Sequence, residues 1–169
     1  MDTVVEYGRV RLRPTARGDI ENLVAFEQDP ANAPFIRLWT PAQHEAGIAN
    51  PNIGHFVVQE TESGETLGHV ILVGIQSDDH NLEFKRIVIM SKGKGLGRDT
   101  VRAIKKYTFE TLGFHRLWLE VLETNVRAKA LYASEGFVEE GVHREAMRQG
   151  DRFLSLIVMA MLAGEYAPQ

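Results

Sequence analysis

Apolar and polar residues follow one another in short blocks along this chain, and the blocks predict a mixture of strands and short helices. Runs that are rich in β-branched and aromatic residues and are bounded by turn formers are typical of strands. Two pairs of such runs flank the turns Glu62-Ser-Gly-Glu65 and Gln149-Gly-Asp151 and predict hairpins. The predicted strands are residues 10–13, 55–60, 67–75, 82–90, 116–122, 138–147 and 152–161.

Four segments carry the signals of helices. The first covers residues 17–27, with its predicted buried side at Ile20, Leu23 and Phe26. A short second helix is predicted after Thr40-Pro41, because a capping residue precedes a proline there. The third has a one-sided apolar stripe and ends at Gly113, and the fourth ends at Gly136. The stripe of the third helix consists of Val101, Ile104, Thr108 and Leu112.

Composition narrows the class of protein. The 169 residues, 44% of them hydrophobic, suit one domain with a sizeable core. The formal net charge of -4 argues against a nucleic-acid partner, and the absence of cysteine excludes disulfides and thiolate chemistry. The longest apolar run, residues 154–163, is too short to span a membrane, and the first residues lack the apolar run of a signal peptide. We therefore expect a cytoplasmic protein without a membrane partner.

A glycine-rich turn between a predicted strand and a predicted helix is the strongest functional signal. Gly93, Gly95 and Gly97 remove every other Cβ, so backbone N–H groups can approach a ligand closely. The N-terminus of the following helix favours an anion, and Lys92, Lys94 and Arg98 add positive charge. This layout predicts a site for a diphosphate.

Other interpretations of this turn are weaker. A P-loop requires four residues between its first glycine and Gly-Lys-Ser/Thr, and the chain has no such run. A dinucleotide fingerprint requires G-x-G-x-x-G, but the third glycine comes one residue early. A nicotinamide enzyme would also want an acidic residue about 20 positions later, where residues 113–117 are Gly-Phe-His-Arg-Leu. A tight turn with glycines for geometry alone is the remaining alternative.

A second motif lies about thirty residues downstream. Asn125, Ala128 and Tyr132 are spaced i, i+3, i+7, so a helix would place an amide, a small gap and a phenol on one stripe. A lone tyrosine on a helix is commonly a half-buried packing residue. Its combination with the glycine-rich turn favours a functional role.

Together these motifs resemble those of the GCN5-related N-acetyltransferase (GNAT) family. Its cofactor loop has the pattern Arg/Gln-x-x-Gly-x-Gly/Ala, and Lys92-x-x-Gly95-x-Gly97 is similar to it, with Lys in place of Arg or Gln. The run from Asn125 to Phe137 is similar to the second motif at every keyed position. The resemblance covers residues 8–163. It implies one α+β domain with a central, mixed, mostly antiparallel twisted sheet of six to seven strands and about four helices.

The resemblance also implies acetyl-CoA as cosubstrate and assigns roles to residues. Tyr132 would protonate the departing thiolate, Asn125 would hold the pantetheine, and one backbone N–H of the strand before the loop would polarise the thioester carbonyl. Glu83 is the expected general base, and Glu120 or a water chain is the alternative. A surface ion pair with Lys85 or Arg86 is the other interpretation of Glu83. The expected cofactor-binding residues are Ile87, Val88, Ile89, Lys92, Gly93, Lys94, Gly95, Leu96, Gly97, Arg98, Asn125 and Ala128.

The acceptor is left open by the sequence. We expect a primary amine of a small molecule or a peptide N-terminus; polyamines, amino acids, aminoglycosides and protein N-termini all fit, and a homodimer is possible. Phe35, Trp39 and His44 are expected along the acceptor groove, and the acids Glu21, Glu27 and Asp29 either favour a cationic amine or form a solvated helix face. The six histidines show no metal-ligand spacing, so no metal is expected; His80 and His115 lie near the site but are expected to be structural. The alternative to an enzyme is an acyl-CoA-binding sensor without turnover, against which Tyr132 argues.

Overall fold

The computed structural model describes residues 4–168 and places all eight of its strands in one sheet. Four α-helices, α1 (Ile20–Gln28), α2 (Pro41–Ala49), α3 (Leu96–Lys106) and α4 (Val126–Ser134), connect them. The strands are β1 (Val5–Tyr7), β2 (Val10–Pro14), β3 (Ile53–Glu60), β4 (Thr66–Val73), β5 (Asn81–Ile89), β6 (Arg116–Leu122), β7 (Val138–Gln149) and β8 (Arg152–Leu162).

The sheet has the strand order β1-β2-β3-β4-β5-β6-β8-β7, and every neighbouring pair is antiparallel except β5 with β6. The predicted α+β class with a mixed, mostly antiparallel sheet is therefore confirmed. The sheet has one strand more than the upper expectation of seven, namely β1. This strand has three residues and pairs Val5 with Leu12, so its apolar pattern is too short to signal a strand.

Local sequence determines where the helices begin. Thr40 caps α2: its hydroxyl accepts a hydrogen bond from the Gln43 N–H at 3.3 Å, and the Gln43 side chain accepts from the Thr40 N–H at 2.8 Å. Pro41 occupies the first helical position, as predicted. Helix α3 continues into a π-helical turn at Tyr107–Thr111 before Gly113. No helix within residues 4–168 is long and apolar enough to cross a membrane.

The parallel strands β5 and β6 separate along their length. They pair only from Asn81 opposite Arg116 to Glu83 opposite Trp118, although β5 continues to Ile89 and β6 to Leu122. On its other edge β5 stays paired with β4 up to Ile89, opposite Gly68. Among residues 4–168, one edge of β5 is thus left without a partner strand beyond Glu83, and a wedge-shaped gap opens in the middle of the sheet.

A β-bulge at Lys85 changes which side chains of β5 face each side of the sheet. The register with β4 shifts there, because Ile71 lies opposite Arg86 whereas Leu72 lies opposite Phe84. Phe84 joins the apolar core cluster that includes residues of α3 and Tyr132. Arg86 lies on the opposite face, against α1.

One expectation for α1 is wrong. Phe26 is only partly buried, whereas Glu27 is buried together with Ile20 and Leu23. The buried residues have the spacing i, i+3, i+7 of a helix stripe, and Phe26 lies beside that stripe. Glu27 is therefore not part of a solvated helix face.

Candidate active site

The gap between β5 and β6 forms part of a cleft of about 1130 Å³. The glycine-rich turn closes one end, the start of α4 lies along it, and residues 31–39 line another wall. The cleft brings together both sequence motifs and the two candidate bases. The predicted residues that line it are Glu83, Ile87, Ile89, Lys92, Gly93, Gly95, Gly97, Arg98, Glu120, Asn125, Ala128 and Tyr132; Val88, Lys94 and Leu96 do not line it.

The glycine-rich turn has the backbone geometry that a diphosphate site requires. Gly93 and Gly95 have φ angles of +80° and +79°, in the left-handed region that favours glycine. Gly95 is the N-cap of α3, so the unpaired N–H groups of the first helical turn lie next to it. Apart from the adjacent residues of the turn, no atom of the described residues lies within 4 Å of the position of a Cβ at Gly93 or Gly95, so the turn is open to a ligand. These features fit the diphosphate of coenzyme A.

The cationic side chains of the turn have different surroundings. Lys92 donates to the Asn32 amide oxygen at 2.7 Å, which ties the turn to the wall at residues 31–39. Arg98 donates to Ser134 at 3.0 Å and is ion-paired with the buried Glu135. Arg127, which sequence reasoning missed, also lines the cleft and is exposed. Its position just after the predicted Asn125 was the available signal.

Tyr132 is buried in the wall of the cleft. Its ring packs edge-on against Phe84 at 5.9 Å and lies 5.8 Å from Phe137 between centroids. Within the described residues its hydroxyl has no hydrogen-bond partner. Burial raises the pKa of Tyr132, so the phenol stays protonated at neutral pH and can donate a proton. Packing and a free hydroxyl therefore coexist at this residue.

Asn125 stands at the N-cap of α4 rather than inside the helix. Its side-chain oxygen accepts a hydrogen bond from the Ala128 N–H at 3.2 Å. The amide NH₂ group remains to donate towards the cleft, which Asn125 also lines. Asn125 and Ala128, which were expected on one helix stripe, are thus joined by a capping hydrogen bond.

The free edge of β5 presents backbone groups to the gap. The Met90 N–H donates to the Leu67 carbonyl at 2.9 Å and so points towards β4. Because successive residues of a strand direct their backbone groups to alternate edges, those of Val88 also point to β4 and those of Ile87 and Ile89 point to the gap. Of the three predicted strand residues, two therefore present backbone hydrogen-bonding groups to the cleft.

Both candidate bases line the cleft, and each already has a partner. Glu83 lies at the last paired position of β5 and β6, and its carboxylate is 3.3 Å from the Lys85 ammonium. Its side chain is 20% exposed. The Glu120 carboxylate lies 2.8 Å from His143 Nδ1, and its side chain is 29% exposed. The ion pair considered for Glu83 exists with Lys85, and Arg86 pairs elsewhere.

The residues expected along the acceptor groove divide into two groups. Phe35 and Trp39 line the cleft. His44 does not: it is fully buried behind the wall, with its Nδ1 2.9 Å from His55 Nε2. The expectation for His44 is therefore wrong, because α2 turns this side chain towards the interior.

His44 belongs to a buried polar cluster that sequence reasoning missed, which we call the Glu27 network: Glu27, His44, His55, His69 and Arg86. Glu27 Oε1 lies 2.7 Å from Arg86 Nη1, 2.9 Å from His69 Nε2 and 3.5 Å from His44 Nε2. Burial opposes ionisation of Glu27, but the neighbouring His44 and His69 and the charge of Arg86 outweigh it and lower the pKa of the carboxyl. The helix-stripe spacing of Glu27 was the signal available in the sequence.

No group of three or more histidine, aspartate or glutamate side chains in the part of the chain that is described could hold a metal ion. The Glu27 network does not qualify, because its carboxylate is occupied by Arg86 and His69.

Comparison with known proteins agrees with this geometry. Residues 9–138 match the model of the acetyltransferase (GNAT) domain. Spermidine N(1)-acetyltransferase of Vibrio cholerae serotype O1 is 31% identical over 112 residues, which are 66% of this chain and 64% of that protein. The aligned region is thus just under two thirds of the relative's length.

Solved structures resemble more than nine tenths of the chain. A crystal structure of spermidine N-acetyltransferase from Vibrio cholerae in complex with CoA and spermine has a TM-score of 0.82 and 25% identity, covering 93% of this chain and 97% of that one. A GNAT-family acetyltransferase from Bacillus anthracis has a TM-score of 0.81 at 19% identity, covering 95% and 99%. The second likeness supports the fold alone.

Proposed function

Because the chain belongs to the GNAT acetyltransferase family, we propose that it transfers an acetyl group from acetyl-CoA to the primary amine of a small cationic molecule. We assign this activity to residues 8–163. The observation that carries the proposal is the meeting of the glycine-rich turn, the free edge of β5 and Tyr132 in one cleft. Acetyl-CoA supplies an activated thioester.

The described residues fit the requirements of binding and leaving-group chemistry. The turn at Gly93–Gly97 and the start of α3 would hold the diphosphate, and Ile87 and Ile89 would bond the pantetheine along β5. The amine nitrogen attacks the carbonyl carbon and the carbon–sulfur bond breaks. Tyr132 would then give its phenolic proton to the departing sulfur, which its raised pKa favours over early ionisation.

Removing a proton from the amine is assigned to Glu83. An alkylammonium titrates near ~10, so an acceptor arrives charged and must lose a proton before attack. Glu83 lies where β5 and β6 separate and is partly exposed to the cleft, so its carboxylate can attract the ammonium and accept its proton directly or through water. Glu120 is the alternative on the neighbouring strand.

A polyamine is the acceptor class that we put first. Phe35, Trp39, Glu83 and Glu120, which we call the acceptor side of the cleft, combine aromatic surface with two carboxylates. Such a surface suits a flexible aliphatic cation. The relative from Vibrio cholerae is named for spermidine, which supports the same class.

An amine screen tests this proposal. The purified chain is incubated with acetyl-CoA and one amine at a time: two polyamines (spermidine and spermine), an amino acid, an aminoglycoside and a peptide with a free N-terminus. Release of the coenzyme A thiol is followed, and the acetylated product is identified by mass spectrometry. We expect polyamines to give the highest kcat/KM. If no amine increases the rate of thiol release, the proposed acetyltransferase activity is refuted, and an acyl-CoA-binding sensor without turnover becomes the better explanation.

We also propose that the chain assembles with copies of itself, with the β7–β8 hairpin as the contact. Strand β7 is the edge of the sheet, and of its twelve residues only Met147 is buried. Val138, Val142 and Phe153 are about half exposed on this hairpin. A relative from Vibrio cholerae is described as dodecameric, which supports assembly of some order. Light scattering of the wild type and of Val142→Glu tests this; a monomeric wild type would refute it.

A cytoplasmic location stays a prediction.

A further inference from the structure

The Glu27 network lies directly behind the acceptor side of the cleft. Both oxygens of Glu27 accept hydrogen bonds: Oε1 from Arg86 and His69, and Oε2 from the backbone N–H of Trp39 at 2.9 Å. The Glu27 side chain is 1% exposed, so none of these bonds is replaced by water. Glu27 of α1 thus holds the backbone of Trp39, whose ring lines the cleft.

Arg86 fixes the same wall from the other side. One of its nitrogens bonds Glu27, and another donates to the Arg37 carbonyl. Its guanidinium carbon lies 5.0 Å from the centre of the Trp39 ring, in cation–π geometry. Glu27 and Arg86 together therefore hold residues 37–39 by two backbone hydrogen bonds and one ring contact.

The histidines of the network contact Glu27 and one another. Because Glu27 is ionised, His69 Nε2, 2.9 Å from its Oε1, is best placed as an N–H donor. His44 Nε2 lies farther from the same oxygen, at 3.5 Å, and makes no hydrogen bond to it. His44 Nδ1 can then accept from His55 Nε2 at 2.9 Å, and His55 Nδ1 can accept from the Thr15 hydroxyl at 2.9 Å. Burial lowers the pKa of His55 and of His69, which favours the neutral form of both rings. The charges of Glu27 and Arg86 are of opposite sign and cancel within the network.

We propose that Glu27 is a positioning residue that determines acceptor specificity. It does so by holding residues 37–39, which we call the Trp39 wall, and by neutralising Arg86 so that a cationic amine can approach. The inference rests on the proposed acetyltransferase function. Arg86 lines the cleft close to where the ammonium would bind. Without a compensating carboxylate its charge would repel that ammonium.

Glu27→Gln tests both parts of this role. All partners of the two Glu27 oxygens are donors, so the amide NH₂ of glutamine must face a donor whichever way it points. If the NH₂ group faces Trp39, one hydrogen bond is lost; if it faces Arg86 and His69, two are disturbed. We therefore expect the NH₂ group to face Trp39 and the hydrogen bond from the Trp39 N–H to be lost. The substitution also leaves the Arg86 charge without its partner.

Steady-state kinetics with the best polyamine and titration with coenzyme A give the readout. For Glu27→Gln we expect KM for the amine to rise roughly tenfold or more, with a larger effect at low ionic strength, while kcat and the Kd of coenzyme A change less than about twofold. Asp19→Asn is the matched control. It removes a carboxylate that pairs with Arg13 at 2.8 Å and lies outside the cleft.

A double variant separates charge from damage to the fold. In Glu27→Gln/Arg86→Met no uncompensated buried charge remains, so we expect a lower KM than in Glu27→Gln and no excess dependence on salt. It also keeps the proposal testable if the single variant does not fold. A KM for Glu27→Gln equal to that of Asp19→Asn would overturn the proposal. So would a loss of coenzyme A affinity that parallels the rise in KM.

Fluorescence distinguishes failure of this inference from failure of the proposed function. The chain has two tryptophans, and Trp118→Phe leaves Trp39 as the reporter. We expect Glu27→Gln in this background to make Trp39 more accessible to acrylamide quenching. If the wild type acetylates no amine, the function fails but this readout still tests the wall. Unchanged quenching would overturn the positioning role.

Discussion

Replacing Gly95 tests whether backbone geometry, rather than side-chain charge, binds the cosubstrate. Gly95 has φ +79° and ψ -4°, and a Cβ added there would meet no atom within 4 Å. The cost of Gly95→Ala is therefore backbone strain alone, about 1–2 kcal/mol for a left-handed L-residue. If the turn relaxes to avoid this strain, its N–H groups leave the cleft, and the affinity for coenzyme A should fall by about 5–30-fold.

Two variants of the same turn serve as controls. Gly97 does not have a positive φ, and a Cβ there would lie 3.8 Å from Leu131, an ordinary contact. The family pattern also accepts alanine at that position, so Gly97→Ala should bind coenzyme A nearly as the wild type does. Lys94→Ala removes an exposed charge and should cost under ~1 kcal/mol.

Calorimetric titration with coenzyme A, supported by thermal denaturation, measures these effects. Gly95→Val should exceed Gly95→Ala, because a β-branched side chain tolerates this backbone even less well. If Gly95→Ala binds coenzyme A like the wild type, or if Lys94→Ala or Gly97→Ala weakens binding as much, then the left-handed backbone at Gly95 is not what binds the cosubstrate. A lower melting temperature with unchanged affinity would show that the strain acts on the fold and not on the site.

Three further predictions concern catalysis and stability. Tyr132→Phe should lower kcat by roughly 10²-fold or more at nearly unchanged coenzyme A affinity, and equal turnover would remove its acid role. Glu83→Gln should reduce kcat/KM most at low pH, where the ammonium dominates; an unaltered pH–rate profile would transfer the role to Glu120 or water. Burial and the nearby His69 and His44 lower the pKa of His55 to about 3, so unfolding should become easier as pH falls from about 6.5 towards 3. At pH 5 the free energy of unfolding, measured by denaturant titration, should be about 2 kcal/mol lower than at neutral pH. His55→Gln should remove this loss, whereas replacing the exposed His115 by Gln should leave it unchanged.

The sequence predicts the cofactor side of the cleft well because its signals are local. A left-handed turn needs glycine, and Gly93 and Gly95 have the positive φ angles that make glycine necessary. The spacing of Ala128 and Tyr132 follows from one helix, and α4 places both along the cleft. Asn125 was predicted on the same stripe, but it precedes the helix as its cap, since a cap residue cannot be told from a first-turn residue by spacing alone.

The Glu27 network behind the acceptor side was not predicted, because its residues meet through tertiary pairing. Glu27, His44, His55 and His69 come from α1, α2, β3 and β4, and no local pattern brings four separate elements together. A buried carboxylate is also contrary to the ordinary preference of glutamate for solvent. The stripe spacing of Glu27 marks it as inward-facing, but only the position of Arg86 explains how the charge is tolerated.

Strand β5 links the two halves of the proposed mechanism, and the bulge at Lys85 is what allows it to do so. Without a bulge, Phe84 and Arg86 would face the same side of the sheet, because side chains two apart in a strand do. With it, Phe84 packs against Tyr132 at 5.9 Å on one side and Arg86 reaches Glu27 at 2.7 Å on the other. One short segment of backbone thus holds the proposed acid on the cofactor side and the Trp39 wall on the acceptor side. A shift of β5 that displaced Tyr132 would therefore also displace the Trp39 wall. For this reason we expect changes in β5 to affect the binding of both acetyl-CoA and the amine.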